Sequence, residues 1–127
     1  MTDPIARARP LIEAALVHAH GTHELVDVLE GVAAGRLQIW IGAASVAVTE
    51  VLRFPRLSAL NVFLASGPIE ELKAALPGME AWARGAGCRR IMFSGRLDAI
   101  DGRASGWERL LPEFRPGWIH LSKELEA

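Results

Sequence analysis

Three groups of residues have types and spacings that could do chemistry. His18, His20 and His23 form H-x-H-x-x-H, and imidazole nitrogens are ligands for zinc or nickel. The spacing weakens that reading. Residues two apart point to different sides of a helix, Gly21 interrupts the run, and Glu24 is the adjacent hard ligand. Polar histidines at a helix junction account for the motif, and no metal site is expected. The second group is Arg84, Arg89, Arg90, Arg96, Arg103 and Arg109, whose guanidinium forks suit phosphate or an acidic partner. Asp98, Asp101 and Glu108 balance most of them as a solvated surface. Arg96 and Arg103 flank a polar, Gly-rich loop and stand as candidate anion- or partner-binding residues. Trp107 joins them, because tryptophan is favoured at interfaces. The third is a single cysteine, Cys88, which rules out an internal disulfide framework and a multi-cysteine metal site. A buried thiol acts as a small apolar group far more often than as a reagent. The chain has no tyrosine, which removes one kind of acid–base catalyst.

These residues sit in a chain of 127 residues, half apolar and 23% charged, which suits one globular domain with a single core. A net charge of −1 leaves no global basic surface to hold nucleic acid by counterion release, so no nucleic-acid partner is expected. No apolar run is long enough for a transmembrane helix, and residues 1–16 lack the apolar stretch and cleavage pattern of a signal peptide. With one cysteine, a reducing compartment is the natural expectation, so the protein is expected in the cytoplasm.

The elements that must position these groups follow from periodicity. Leu11, Ile12, Ala15, Leu16 and Ala19 recur at helical spacing over residues 10–19, and Gly21 stops that helix. Thr22 is placed to cap a second helix through Val32, with Gly35 as its C-terminal stop. From Leu37 the period becomes two, giving strands over 37–41, 45–52 and 57–65 with tight links, an antiparallel meander. Pro68 starts a helix whose apolar face is Ile69, Leu72, Ala75, Leu76, Met79 and Trp82, and Pro77-Gly78 should kink or split it. Residues 90–94 read as a central strand, Trp107 to Leu111 as a short helix and 118–122 as a final strand. Trp40, Trp82 and Trp118 read as packing anchors. The order α-α-β-β-β-α-β-α-β is an α+β fold with a mixed, mostly antiparallel sheet, and the helix crossover lets the third and fourth strands run parallel.

This order is similar to that of the GNAT-fold N-acetyltransferases. The string GMEAWARGAGCRRIMFSGR followed by GWERLL resembles a branch encoded by tailed phages and prophages, which includes relatives of an internal virion protein of podophages. The shared features are Trp82-Ala83-Arg84, Gly87-Cys88, a strand, Gly95-Arg96 and Gly106-Trp107. The topology covers roughly residues 25–125 and the motifs residues 78–111. In that branch Gly-Arg and Gly-Trp stand close together. Here LDAIDGRAS separates them, unless Gly102-Arg103 is the matching pair. The resemblance implies one GNAT-like domain over 1–127 with helices on both sheet faces. It comprises a helical part (1–35), an antiparallel meander (36–66) and an α-β-α-β part (67–127).

The resemblance also implies acetyl-CoA binding and acyl transfer to an amine. Fold alone does not carry function. In the enzymes a glycine-rich loop after the third meander strand offers backbone N–H groups to the CoA pyrophosphate at a helix N-terminus. The matching positions here are Ala65, Ser66 and Gly67. Pro68 deletes one donor, and Glu70 and Glu71 place negative charge in the first helical turn. Such enzymes often protonate the leaving thiolate with a tyrosine, which this chain lacks. The catalytic candidates that remain are Glu50, as a base toward an amine, and Cys88, as a proton donor. A solvent-facing or hydrogen-bonded strand Glu50 and an inert Cys88 are the simpler readings.

Three functions are therefore in play. One is a phage or prophage GNAT-like protein degenerate for acetyl-CoA catalysis, with no cofactor, that binds protein partners such as phage structural proteins as a virion or assembly component. In that case its location is the cytoplasm or the virion. The second is a divergent acetyl-CoA-dependent N-acetyltransferase, and the third a small ligand-binding regulatory module. Equilibrium dialysis at neutral pH is expected to show no zinc retained, and retention of one equivalent would restore the histidine motif as a metal site.

Overall fold

Asp3 opens the chain's first helix, α1 (Pro4–Leu16), by accepting a hydrogen bond from the Ile5 N–H at 3.1 Å, with Pro4 at the first helical position. The coordinates are a computed structural model that describes residues 3–17, 19, 21–94, 113–114 and 123–126. Contacts divide the chain into two compact units, Met1–Gly95 and Arg96–Ala127, and every element below belongs to the first. The expected helix at 107–111, the strand at 118–122 and the loop before them lie outside the described residues, as does Trp118.

α1 begins at Pro4, not at Pro10 as periodicity suggested. Pro10 lies inside the helix and is exposed, as is Ala6, whose carbonyl loses its partner. The missing hydrogen bond thus falls on the water side, where its cost is smallest. The second helix, α2 (Leu25–Ala33), is capped at Glu24, whose N–H donates to the Asp27 carboxylate at 2.8 Å. Thr22 does not cap it. Its hydroxyl instead donates to the Ala19 carbonyl at 2.8 Å and ties down the turn after α1. Gly35 ends α2 as expected: Gly35 N–H reaches the Val32 carbonyl and Arg36 N–H the Gly31 carbonyl, the paired bonds of a Schellman stop.

The sheet comprises β1 (Leu37–Ile41), β2 (Val46–Arg53), β3 (Ser58–Ser66) and, after helix α3 (Ile69–Gly85), β4 (Arg90–Phe93). Its order is β1-β2-β3-β4; the first two pairings are antiparallel and β3–β4 is parallel. That parallel pair follows from α3, which carries the chain back to the same end of the sheet. Among the described residues the fold is α+β, with three helices and a mixed four-stranded sheet.

Alternation sends successive β2 residues to opposite faces. Val46 and Val48 join Leu64 and the α1 residues Ala8, Ile12 and Ala15 in one buried core, with Val28 from α2. Ala47 faces Leu72 and Met79 of α3 on the other side. Between Val48 and Thr49 the register shifts: Val48 opposes Leu64 but Thr49 opposes Val62. Phe63 is the extra residue of this bulge, and its ring lies 5.0 Å from that of His23.

Pro77 does not split α3, which runs unbroken to Gly85. Lys73, Pro77 and Gly78 are all exposed, so the carbonyl freed by proline faces solvent. Gly87 then ends α3 as Gly35 ends α2, with Cys88 N–H on the Ala83 carbonyl at 2.8 Å. Trp82 is not a buried anchor. It is 40% exposed and meets Trp40 edge-on, 6.3 Å between centroids. No helix among the described residues is long and apolar enough to cross a membrane.

Ile12 is completely buried at the centre of the α1–sheet core. Ile12→Ala is expected to lower unfolding free energy by about 2–5 kcal/mol, measured by urea denaturation.

Candidate functional site

Glu71, in the first turn of α3, reaches across to the turn joining β1 and β2. Its Oε1 accepts the Ala44 N–H at 3.0 Å and the Ser45 hydroxyl at 2.9 Å, while Oε2 takes a longer bond of 3.2 Å from the same N–H. The turn itself closes with Gly42 N–H on the Ser45 carbonyl at 2.9 Å. These donors stabilise the ionised carboxylate. The Ala44 amide, then the Ser45 hydroxyl and the Ala43 backbone, hold Glu71 below its ordinary value of 4.5, against a smaller opposing effect of burial.

Gly67 lets the strand-to-helix junction lie directly on this turn. Its φ is +113°, and a Cβ there would stand 2.4 Å from the Ala44 carbonyl oxygen and 2.6 Å from Ser45 Cα. Both are backbone atoms that cannot swing aside. Sequence reasoning singled out Ala65, Ser66 and Gly67 as the stretch that would cradle a pyrophosphate. The structure places Ala65 and Ser66 in β3, opposite Ala47 and Val46, and Gly67 against the hairpin. Pro68 has no N–H to offer, and its carbonyl accepts the N–H groups of Glu71 and Leu72 at 3.1 and 3.3 Å. Ile69 and Glu70 are left as the first-turn amides without a backbone acceptor.

On the α3 side of the sheet an open cleft of about 260 Å³ runs between the β1–β2 hairpin and the helix. Trp40, Ala47, Leu72 and Met79 give it apolar walls, and Ala74, Ala75 and Gly78 keep the helix side shallow. Glu71 and Ser45 close one end. The Trp40 ring is held in place: its Nε1–H donates to Thr49 Oγ1 at 3.1 Å, and the Thr49 hydroxyl donates to Gln38 Oε1 at 2.9 Å. That arrangement satisfies a fully buried threonine.

Glu50 and Cys88 are not brought together by any hydrogen bond. Glu50 Oε1 accepts from Asn61 Nδ2 at 3.1 Å, and Asn61 Oδ1 accepts from the Ser94 hydroxyl at 3.0 Å. This chain crosses β2, β3 and the end of β4, with Asn61 buried. Glu50 is thus half-buried and hydrogen-bonded. Cys88 is buried just after α3. Its backbone, not its thiol, holds the helix stop.

Of the histidine motif, His23 alone is described, and His18 and His20 lie outside the described residues. Thr22 gives its one hydroxyl proton to Ala19, so the 2.8 Å contact with His23 Nδ1 requires the ring nitrogen to be the donor. Among the described residues no three His, Cys, Asp or Glu side chains form a metal-holding group. Arg96, Arg103 and Trp107 also lie outside the described residues. Arg84, Arg89 and Arg90 are exposed, as a solvated surface requires. Sequence reasoning gave Glu71 a role toward the helix dipole and missed its clasp on the hairpin, since nothing local links positions 27 residues apart. Asn61 and Ser94, 33 apart, were missed for the same reason.

No family model and no curated protein matches the chain. Among solved structures it is similar to TTHA1254 from Thermus thermophilus, seen as a crystal structure of a point mutant. The TM-score is 0.60 over 95% of this chain and 92% of that one, at 16% identity. At that identity the likeness is one of fold.

Glu71's lowered pKa ties part of the stability to pH. The ionised clasp stabilises the fold fully above about 4.5 and loses that contribution as pH falls through 4.5 toward the lower folded value. Glu71→Gln is therefore expected to lower Tm at pH 7, with the gap to the native chain narrowing below pH 4.5. A gap that stays constant down to pH 3 would show that the charge is immaterial.

Proposed function

We propose that this chain is a GNAT-like domain of phage or prophage type that works by binding a protein partner, as a virion or assembly component, and not by ordinary acetyl-CoA chemistry. The observation that carries the reading is the junction at Gly67. A GNAT enzyme needs free amides and room for a pyrophosphate there. In this chain the β1–β2 turn fills the space against Gly67, Pro68 removes a donor, and the Glu71 carboxylate holds the position with its charge. A dianionic pyrophosphate would meet like charge from Glu70 and Glu71. The missing tyrosine agrees with this reading, as does a Cys88 thiol that is buried.

One observation favours the alternative, a divergent acetyl-CoA-dependent N-acetyltransferase. The chain from Ser94 through Asn61 orients the Glu50 carboxylate, as a base toward an amine would need. Orientation alone supplies neither a cofactor site nor a proton donor for the thiolate, so the binding reading is preferred.

Isothermal titration of the folded protein with acetyl-CoA separates the two. The binding reading expects no heat and no thermal shift at millimolar acetyl-CoA. Micromolar affinity would overturn it. Gly67 substitutions are poor controls, since any Cβ there meets the hairpin backbone, and Glu50→Gln is the better variant for testing a residual activity.

A further inference from the structure

The cleft beside α3 combines two properties that the proposed binding role leaves unassigned. Its walls are apolar, and one end carries a negative charge that no cation among the described residues neutralises. The donors on Glu71 are a backbone amide and a hydroxyl, both neutral. Among the described residues no lysine or arginine pairs with it. Lys73 is two residues further along α3, so it points away from that face. Glu70, next to it and exposed, adds charge of the same sign.

We propose that this cleft receives a lysine side chain from an apolar segment of a partner protein, with its stem along the half-exposed Trp40, Ile41 and Ala75 and its ammonium on Glu71. This rests on the binding reading above and names the surface and the partner chemistry. About 260 Å³ lies just under the roughly 300–1,000 Å³ of ordinary ligand pockets, which suits one long side chain and is too small for a nucleotide. Lysine buries its methylene stem on apolar surface while its head keeps a polar partner. The acceptor geometry favours lysine over arginine. Oε1 already holds two donors and Oε2 one long bond. A single-point ammonium can use the remaining capacity of Oε2, whereas a guanidinium fork needs both oxygens. Because Trp40 is fixed by Thr49 and buttressed by Trp82, the wall is preformed and little side-chain entropy is lost on docking. The helix side at Gly78 is open, since a Cβ there would meet nothing within 4 Å.

The test is a titration of ¹⁵N-labelled protein with a capped five-residue peptide carrying a central lysine between two leucines, beside its glutamate counterpart. The lysine peptide is expected to shift the Ala44 and Ser45 amides and the Trp40 indole signal at millimolar concentration. The glutamate peptide should bind at least about threefold more weakly, as for an exposed ion pair. Glu71→Gln should erase that preference. Gly78→Met, shown to be folded by its melting curve, should fill the cleft and abolish the shifts. Equal binding of both peptides, shifts that persist in Gly78→Met, or no shifts at all would overturn the proposal, whatever acetyl-CoA does. If Glu71→Gln does not fold, the glutamate peptide and Gly78→Met decide the matter alone.

Discussion

The contact on which the arrangement of this unit depends is the Glu71 carboxylate on the β1–β2 turn. It joins the first turn of α3 to a hairpin 27 residues earlier in the chain, and it does so with charge-assisted bonds, roughly twice as strong as neutral ones. Three consequences follow. The start of α3 is fixed over the hairpin end of the sheet. Gly67 is forced into close contact with Ala44 and Ser45. A cleft remains between helix and hairpin wherever α3 presents alanine or glycine in place of larger side chains.

The two faces of the sheet are built by different means. The α1–α2 face is an aliphatic core, with Ile12, Val28 and Val48 fully buried, and its stability comes from removing apolar area from water. The α3 face mixes apolar contacts with a part-buried polar ladder, Trp40 to Thr49 to Gln38, in which each hydroxyl and indole proton has an acceptor. The bulge at Phe63 lies between these regimes. It lets Leu64 stay on the core face while Val62 pairs with Thr49, and the displaced ring finds His23. A register fault thus becomes a contact between the sheet and the junction of α1 and α2.

Much of the fold was legible. The switch from period 3.6 to period 2 at Leu37 located the meander because a half-buried strand must alternate. The helix crossover between the third and fourth strands allowed the parallel pairing that β3 and β4 adopt. Gly35 marked a helix stop because that position requires a left-handed backbone, at a φ of +77°. Less legible were features that depend on which side of a helix meets water. Pro77 read as a breaker and periodicity started the first helix at residue 10, yet both prolines lie inside helices because the carbonyls they orphan are on exposed flanks. Trp82 read as an anchor from its place on the apolar stripe, but Met79 and Ala83 take the buried positions of this part of α3 and the Trp82 ring is left 40% exposed.

By itself the sequence determined the types and order of the seven described elements, and allowed the parallel crossover, because these follow from short-range periodicity and backbone restrictions. It also raised the conflict at residues 65–71 between a phosphate loop and two acidic residues, since charge and proline are local facts. The tertiary structure decided what those residues do instead. That Glu71 grips Ala44 and Ser45, that Glu50 is held through Asn61 by Ser94, and that Trp40 walls a cleft ending in a carboxylate all join positions far apart in the chain. Hydrogen bonds between distant segments leave no periodic trace in a sequence. They exist only once hydrophobic burial has brought the elements within reach.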